Sequence, residues 1–309
     1  MKEDNVLQVY YGEKLVGTLA LTADYKAAFQ YAQEWLENGF SISPFSLPLK
    51  NQVFVPTKDY FSGLFGVFAD SLPDNWGRLL LDRLIRAHQQ NPDELTILDR
   101  LAIVGSSGMG ALTYYPEKSF DEETGKLDLD ELAEECQKIL NTEYSDKLDE
   151  LYHLGGTSGG ARPKIMTTIH GEEWIIKFPA HVDGKDTGKM EYDYSCCAKQ
   201  CQIAMSETKL FPSDRCKGYF GTKRFDRRPG GKRIHMLTAA ALLELDFEQP
   251  SLDYHSLMKL TKILTRDNEK DVENMFRRMC FNVFAHNRDD HSKNFTYLYN
   301  ETEDRWHLS

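Results

Sequence analysis

Arg288-Asp289-Asp290-His291-Ser292-Lys293-Asn294-Phe295 is the stretch whose reading decides the fold of this chain. Asp289 stands five residues before Asn294, in the pattern D-x-x-x-x-N. One solution to phosphoryl transfer uses such a pair: a carboxylate to take the proton from the attacking hydroxyl, and a carboxamide to help hold magnesium. One loop delivers both, because base and metal act on neighbouring sides of the phosphoryl group. A D-x-x-x-x-N match alone is weak, since a chain of this size holds about one by chance; a polar helix-to-strand turn accounts for it as well. The flanks give context. Val272, Met275, Phe276, Met279 and Val283 fall at helical spacing before the loop, and Phe295-Thr296-Tyr297-Leu298-Tyr299 reads as a strand after it.

The whole chain sets bounds. Its 309 residues suffice for two domains or one domain of two lobes, and its 41% hydrophobic content supports real cores. No apolar run approaches the roughly 18 residues of a membrane span, and the first residues, Met1-Lys2-Glu3-Asp4-Asn5, carry no signal-peptide pattern. The six cysteines form no C-x-x-C pair, which points to reduced core thiols, not zinc ligands, and to a cytoplasmic setting. A net charge of -11 argues against nucleic-acid binding by the chain alone. A basic patch such as Lys223 to Arg228 could still meet a phosphate-bearing partner.

Upstream, Val6 to Tyr11 and Leu15 to Leu21 read as strands around a Gly12 turn. Ala27 to Leu36 suits a strand or a short helix. Helices are expected over 56–69, 74–88 and 93–102, a strand over 111–115, and a charged stretch containing Gly125 marks a domain boundary. After helices over 127–140 and 147–153 comes Gly155-Gly156-Thr157-Ser158-Gly159-Gly160-Ala161-Arg162-Pro163-Lys164. Strands over 164–169 and 173–178, a helix over 191–204 and strands over 208–211, 219–225 and 233–237 follow. Helices dominate after Thr238.

Four glycines let the 155–164 loop fold tightly and aim N–H groups at an anion, although a flexible linker is an equal reading. Lys164 ends it and could meet a terminal phosphate. Lys177 interrupts an apolar strand, so its head needs a partner if buried; it is either a phosphate ligand or an edge-strand lysine facing water. Glu191 is its possible ion-pair partner, or a plain first-turn glutamate. Two glycine stretches are decoys. Gly105 to Gly110 lies between a helix and a strand, the reverse of a dinucleotide fingerprint. Gly156-Thr157-Ser158-Gly159-Gly160 matches the hydrolase elbow G-x-S-x-G, but again a helix precedes and a strand follows.

In this order the segments resemble the HipA-like serine/threonine kinases, the toxin halves of bacterial HipA/HipB toxin–antitoxin pairs. The resemblance covers nearly the whole chain. It rests on the N-terminal hairpin, Phe45 to Leu49, Phe68 to Asp74 with Arg78, and Val104 to Leu112. It continues through Ser158 to Lys164, similar to the phosphate loop, Trp174 to Pro179, similar to the ATP-lysine strand, and Arg224 to Arg228, after the adenine hinge. Asp289 to Phe295 resembles the loop D-G-H-x-K-N-F, with Asp290 in place of Gly. No single piece is specific; the combination is. It implies an α+β, two-lobed, protein-kinase-like fold: an N-terminal α/β subdomain over 1–118, a kinase-like N-lobe over 119–237 and an incomplete helical C-lobe over 238–309.

The resemblance also implies roles and partners. Asp289 would be the catalytic base, with His291 beside it, and Asn294 a magnesium ligand. Gly159, Gly160, Ala161, Lys164 and Lys177 would hold ATP phosphates, and Lys223, Phe225 and Asp226 would form the adenine hinge. In the family a loop serine can be autophosphorylated, which ejects the loop; the matching position is Thr157 or its neighbour Ser158. A HipB-like helix-turn-helix antitoxin, DNA contact only through it, and a protein substrate such as an aminoacyl-tRNA synthetase follow from the same resemblance. The family's P-x-Y-D segment, whose Asp is its second metal ligand, comes after the strand that Trp306 to Ser309 resembles. The sequence ends before it, so slow transfer, or binding of nucleotide or an antitoxin partner without turnover, is the competing expectation.

Overall fold

The computed structural model describes residues 6–118, 128–246, 249 and 251–309. In chain order the elements begin β1 (Val6–Tyr11), β2 (Lys14–Leu21), β3 (Ala27–Tyr31), α1 (Gln33–Asn38), β4 (Val53–Phe54), α2 (Gly66–Ala69), α3 (Asn75–Ala87), α4 (Ile97–Val104) and β5 (Leu112–Tyr115). Next come α5 (Leu129–Leu140), α6 (Leu148–Gly155), β6 (Lys164–Ile169), β7 (Glu172–Lys177), α7 (Thr187–Gln200), β8 (Thr208–Phe211) and β9 (Tyr219–Lys223). The last are β10 (Met236–Thr238), α8 (Ala239–Leu243), α9 (Tyr254–Leu264), α10 (Glu269–Phe284), β11 (Thr296–Asn300) and β12 (Arg305–Leu308). The fold is α+β. The described residues cluster into two units, one within Met1–Ser71, Leu95–Lys118 and Arg233–Ser309, the other within Leu72–Glu94 and Ser119–Lys232. The expected boundary stretch around Gly125 falls within 119–127, outside the described residues, as do Met1 to Asn5.

The first unit holds an antiparallel sheet of order β4-β3-β2-β1-β5 and a second of order β10-β11-β12. Alternation in β1 helps make the first: Leu7 and Val9 are buried, as are Val16, at an irregularity in the β1–β2 register, and Leu19 of β2, each worth about 1.5–3 kcal/mol of apolar burial. An aromatic cluster extends the core, with Phe40 stacked on Tyr299 at 4.0 Å and Trp306 against His235 at 5.3 Å. Burial holds the His235 imidazole down to about 4, so it stays neutral and bonds Ile42 O through Nε2. Arg233 closes the Gly105–Gly110 decoy as a structural turn, donating to the carbonyls of Ser106, Gly108 and Gly110.

The second unit carries an antiparallel sheet of order β6-β7-β9-β8 with α7 packed against β8 and β9, and α3 packed on α6. Three helix expectations change, and the strands expected over 219–225 and 233–237 become β9 (Tyr219–Lys223) and β10 (Met236–Thr238). The helix over 56–69 shrinks to α2, because Pro56 cannot donate and Ser62 and Gly63 take left-handed φ of 54° and 85°. The helix over 93–102 splits into a short turn and α4, which Thr96 and Asp99 start with a reciprocal capping box. The helix after β7 begins at Thr187, not Glu191, and stops at Gln200 before Gln202 turns left-handed. Ala27 to Leu36 proves to be a strand and then a helix.

Candidate active site

In the second unit, α6 runs into the glycine loop, and the first turn of α3 grips that loop. Trp76 is buried; its backbone N–H donates to Gly160 O and its indole N–H to Lys164 O, both at 3.2 Å. Asp74 leaves its own helix N-terminus uncapped and instead accepts from Gly160 N–H at 3.1 Å. Gly160 takes φ of 90°, which a side chain would resist. Thr157 and Ser158 are both buried, and the Ser158 hydroxyl donates to Gly155 O at 2.6 Å.

Lys164 and Lys177 are direct cross-strand partners in the β6–β7 ladder, so their side chains leave one face of the sheet. Sheet order puts β7 inside the sheet, so Lys177 is not on an edge strand. Glu191 of α7 meets Lys177 at 3.1 Å, and the Phe220 ring lies under the same ammonium at 5.4 Å. Lys164 donates to Gly159 O at 2.7 Å. Burial, and then the neighbouring Lys177 charge, lowers its amine to about 8, so this buried group sits near the balance between ammonium and amine. At the end of β9, Lys223 pairs with Glu172, and its backbone N–H donates to Glu207 O at 2.9 Å. Asp226 is fully buried, with Arg224 on both carboxylate oxygens at 2.9 and 2.8 Å and Arg227 at 2.7 Å. Phe225 between them is half-buried, and Ala161 is exposed.

In the first unit, Asn268 caps α10, which delivers the Asp289 loop, and a short helical turn, Ser292–Asn294, leads into β11. The Asp289 side chain is 81% exposed and lies 3.5 Å from His291 Nε2. His291 Nδ1 accepts from Lys293 N–H, so the ring caps the turn with one nitrogen and faces the carboxylate with the other. Asn294 donates through Nδ2 to Asp289 O. That bond orients the carboxamide and leaves Oδ1 as its acceptor atom. Asp290 turns another way, accepting at 2.7 Å from the Tyr254 hydroxyl, which itself accepts from Asn282 at 2.8 Å. A cleft of about 210 Å³ lined by Tyr254, Leu257, Arg288, Asp290 and Phe295 flanks the loop.

The structure thus gathers the lysines and glycines within the second unit and the Asp289–Asn294 pair within the first. Sequence reasoning gave no role to Trp76, Tyr254, Asn282 or Asn287, and named Asp74 only where the Phe68 to Asp74 segment ends and the 74–88 helix begins. Only Asn287 carried a signal: an Asn two residues before Asp289 suits a local turn to the following backbone, and Asn287 Oδ1 does accept from Asp289 N–H at 3.0 Å. Among the described residues no group of three or more His, Cys, Asp or Glu could hold a metal. An Asn oxygen with one nearby carboxylate suits magnesium only in the way hard cations are held at phosphates, by few protein oxygens.

Residues 7–115 match the HipA N-terminal domain and residues 156–309 the HipA-like C-terminal domain. The Sinorhizobium fredii protein named "Putative kinase Y4mE" is 24% identical over 327 aligned positions, covering 96% of this chain and 74% of that protein. The solved Shewanella oneidensis MR-1 HipA, in complex with HipB and operator DNA, superposes with a TM-score of 0.70 at 20% identity, over 98% of this chain and 74% of that one. At that identity the superposition speaks for the fold. Between them the two domain models match most of the sequence in the expected order, and the chain belongs to the HipA-like family.

Proposed function

We propose that this protein is an ATP-dependent serine/threonine kinase of a toxin–antitoxin pair, acting on a protein such as an aminoacyl-tRNA synthetase and on itself. One observation carries the reading: Lys164 and Lys177 leave one face of the sheet together, the second held by Glu191 and the first ending a glycine-rich loop. Two like charges in register are costly unless an anion uses them. A nucleotide triphosphate is that anion. Gly159, Gly160 and Ala161 offer backbone beside it, Lys223 and Phe225 carry the adenine edge, and buried Asp226 holds the hinge through its arginines.

In this reading Asp289 takes the acceptor hydroxyl's proton, His291 fixes the direction of that carboxylate, and Asn294 Oδ1 takes part in holding magnesium. Magnesium, when bound, neutralises charge on the transferring phosphate. Thr157 or Ser158 is the self-phosphorylation site. Both are buried, so the loop must leave its seat before either hydroxyl can react. The partner is a HipB-like helix-turn-helix protein that brings the DNA contact, as suits a chain of net charge -11 and a relative solved with HipB and operator DNA.

A second reading, nucleotide and antitoxin binding without turnover, is favoured by Asp290: the carboxylate next to the base is committed to Tyr254 and does not join Asn294. Calorimetry with ATP and magnesium tests what both readings share. Binding that is lost in Lys164→Met supports the site; no binding at millimolar nucleotide sinks it.

A further inference from the structure

Asp290 stands beside the proposed base, and its side chain begins a continuous hydrogen-bonded path. The Tyr254 hydroxyl donates to Asp290 Oδ2 at 2.7 Å. Asn282 Nδ2 donates to that hydroxyl at 2.8 Å, Asn287 Nδ2 donates to Asn282 Oδ1 at 3.1 Å, and Asp289 N–H donates to Asn287 Oδ1 at 3.0 Å. The path returns to the residue next to its start. It ties the first residue of α9, the last turns of α10 and the loop itself into one ring. Asn294 joins from the far side by donating to Asp289 O.

Each link is used once, in a direction the atom can supply. Tyr254 gives its one proton to the carboxylate and receives from Asn282; Asn282 gives through nitrogen and receives through oxygen. The loop's own stabilisation is meagre by contrast. Asp289 is 81% exposed, and few apolar side chains anchor 285–291. Apart from the ring, the backbone around Asp289 is held by the Asn294 amide on Asp289 O and by the turn bonds of His286 and Asn287 N–H to Val283 and Asn282 O.

We propose that Asp290 is a positioning residue: with Tyr254, Asn282 and Asn287 it forms a brace that fixes the backbone of Asp289 and the amide of Asn294, and it is not a metal ligand. The catalytic consequence rests on the kinase reading above; the brace itself does not.

The test uses the full chain and four variants: Tyr254→Phe, Asp290→Ala, the double variant, and Asp290→Asn, which keeps an acceptor for the phenol. Backbone hydrogen exchange is followed at Asp289, Lys293 and Asn294, with the β1–β2 amides as an internal reference. Each of the first two variants should speed exchange at the loop by about tenfold, the effect of losing one hydrogen bond to a charged acceptor. The double variant should exchange no faster than either single one, because both cut the same path. Asp290→Asn should restore most of the protection. Unchanged loop exchange in the single variants, or additive effects in the double, overturns the brace. Phosphate incorporation from ATP and magnesium, run on the same samples, separates the two ideas. A fall in kcat with unchanged KM for ATP, parallel to the exchange, supports positioning. If wild-type chain gains no phosphate while the exchange pattern holds, the kinase reading fails and the brace stands.

Discussion

In the glycine loop the reactive groups are buried and already partnered: Lys164 bonds Gly159 O, Gly160 N–H meets Asp74, and Thr157 and Ser158 are sealed from solvent. In the Asp289 loop the reverse holds. The carboxylate points to water at 81% exposure, and its partners hold the backbone behind it. Burial tunes the first region: it depresses an amine and withholds two hydroxyls. Positioning marks the second, where Asn287 and Asn294 hold the Asp289 backbone and leave its carboxylate in water. The two regions are therefore stabilised by opposite means, and damage to each should look different.

The largest effect expected is at the exposed loop. Asp289→Asn keeps shape and removes the base, so phosphate incorporation should fall by about 10²–10⁴-fold with ATP affinity unchanged, measured by radiolabel and calorimetry. Loss of ATP binding instead would place Asp289 in the buried region's role. The opposite signature is expected at Asp226. Its removal leaves Arg224 and Arg227 without their shared anion, which should cost about 3–5 kcal/mol in chemical denaturation. An Asp226→Ala protein of normal stability but weak nucleotide binding would make that carboxylate a ligand, not a hinge anchor. Lys177→Ala comes next: losing one charge-assisted contact should weaken ATP by about ten- to hundred-fold, or about 1.5–3 kcal/mol, with little change in melting.

The smallest effect is the most specific to burial. Lys164 is lowered to about 8 from an ordinary value near 10.5, so the folded chain holds fewer protons there than the unfolded chain between those values. Its burial penalty is present in full below about pH 8 and is relieved as pH rises through that window. A bound phosphate favours the ammonium, so ATP binding at pH 8 to 9 should take up a fraction of a proton, seen as buffer-dependent heats in calorimetry. No uptake would mean that Lys164 does not face the phosphates.

The candidate site residues were more legible in the sequence than the groups that support them. Asp289, Asn294, Lys164, Lys177 and Glu191 carry charge or amide groups at spacings that mean something, and the strands around them alternate. Tyr254 and Asp74 gave no local signal, because their partners, Asp290 and Gly160, lie 36 and 86 residues away in the chain. Secondary structure failed where backbone conformation outvoted composition: an apolar stretch over 56–69 reads as helix, yet Pro56 and two left-handed residues leave only its last four residues helical. The α10 pattern led correctly to a helix, but its spacing did not foretell burial; Met275 is buried while Phe276 and Val283 are exposed.

The central claim is that this HipA-like chain moves phosphate from ATP onto a protein hydroxyl. The intact mass of the purified chain, taken after incubation with ATP and magnesium, tests it without assuming a substrate. A gain of phosphate that maps to Thr157 or Ser158 is the expected result. An unchanged mass, in a sample that calorimetry shows to bind ATP, would contradict it and leave binding without turnover as the function.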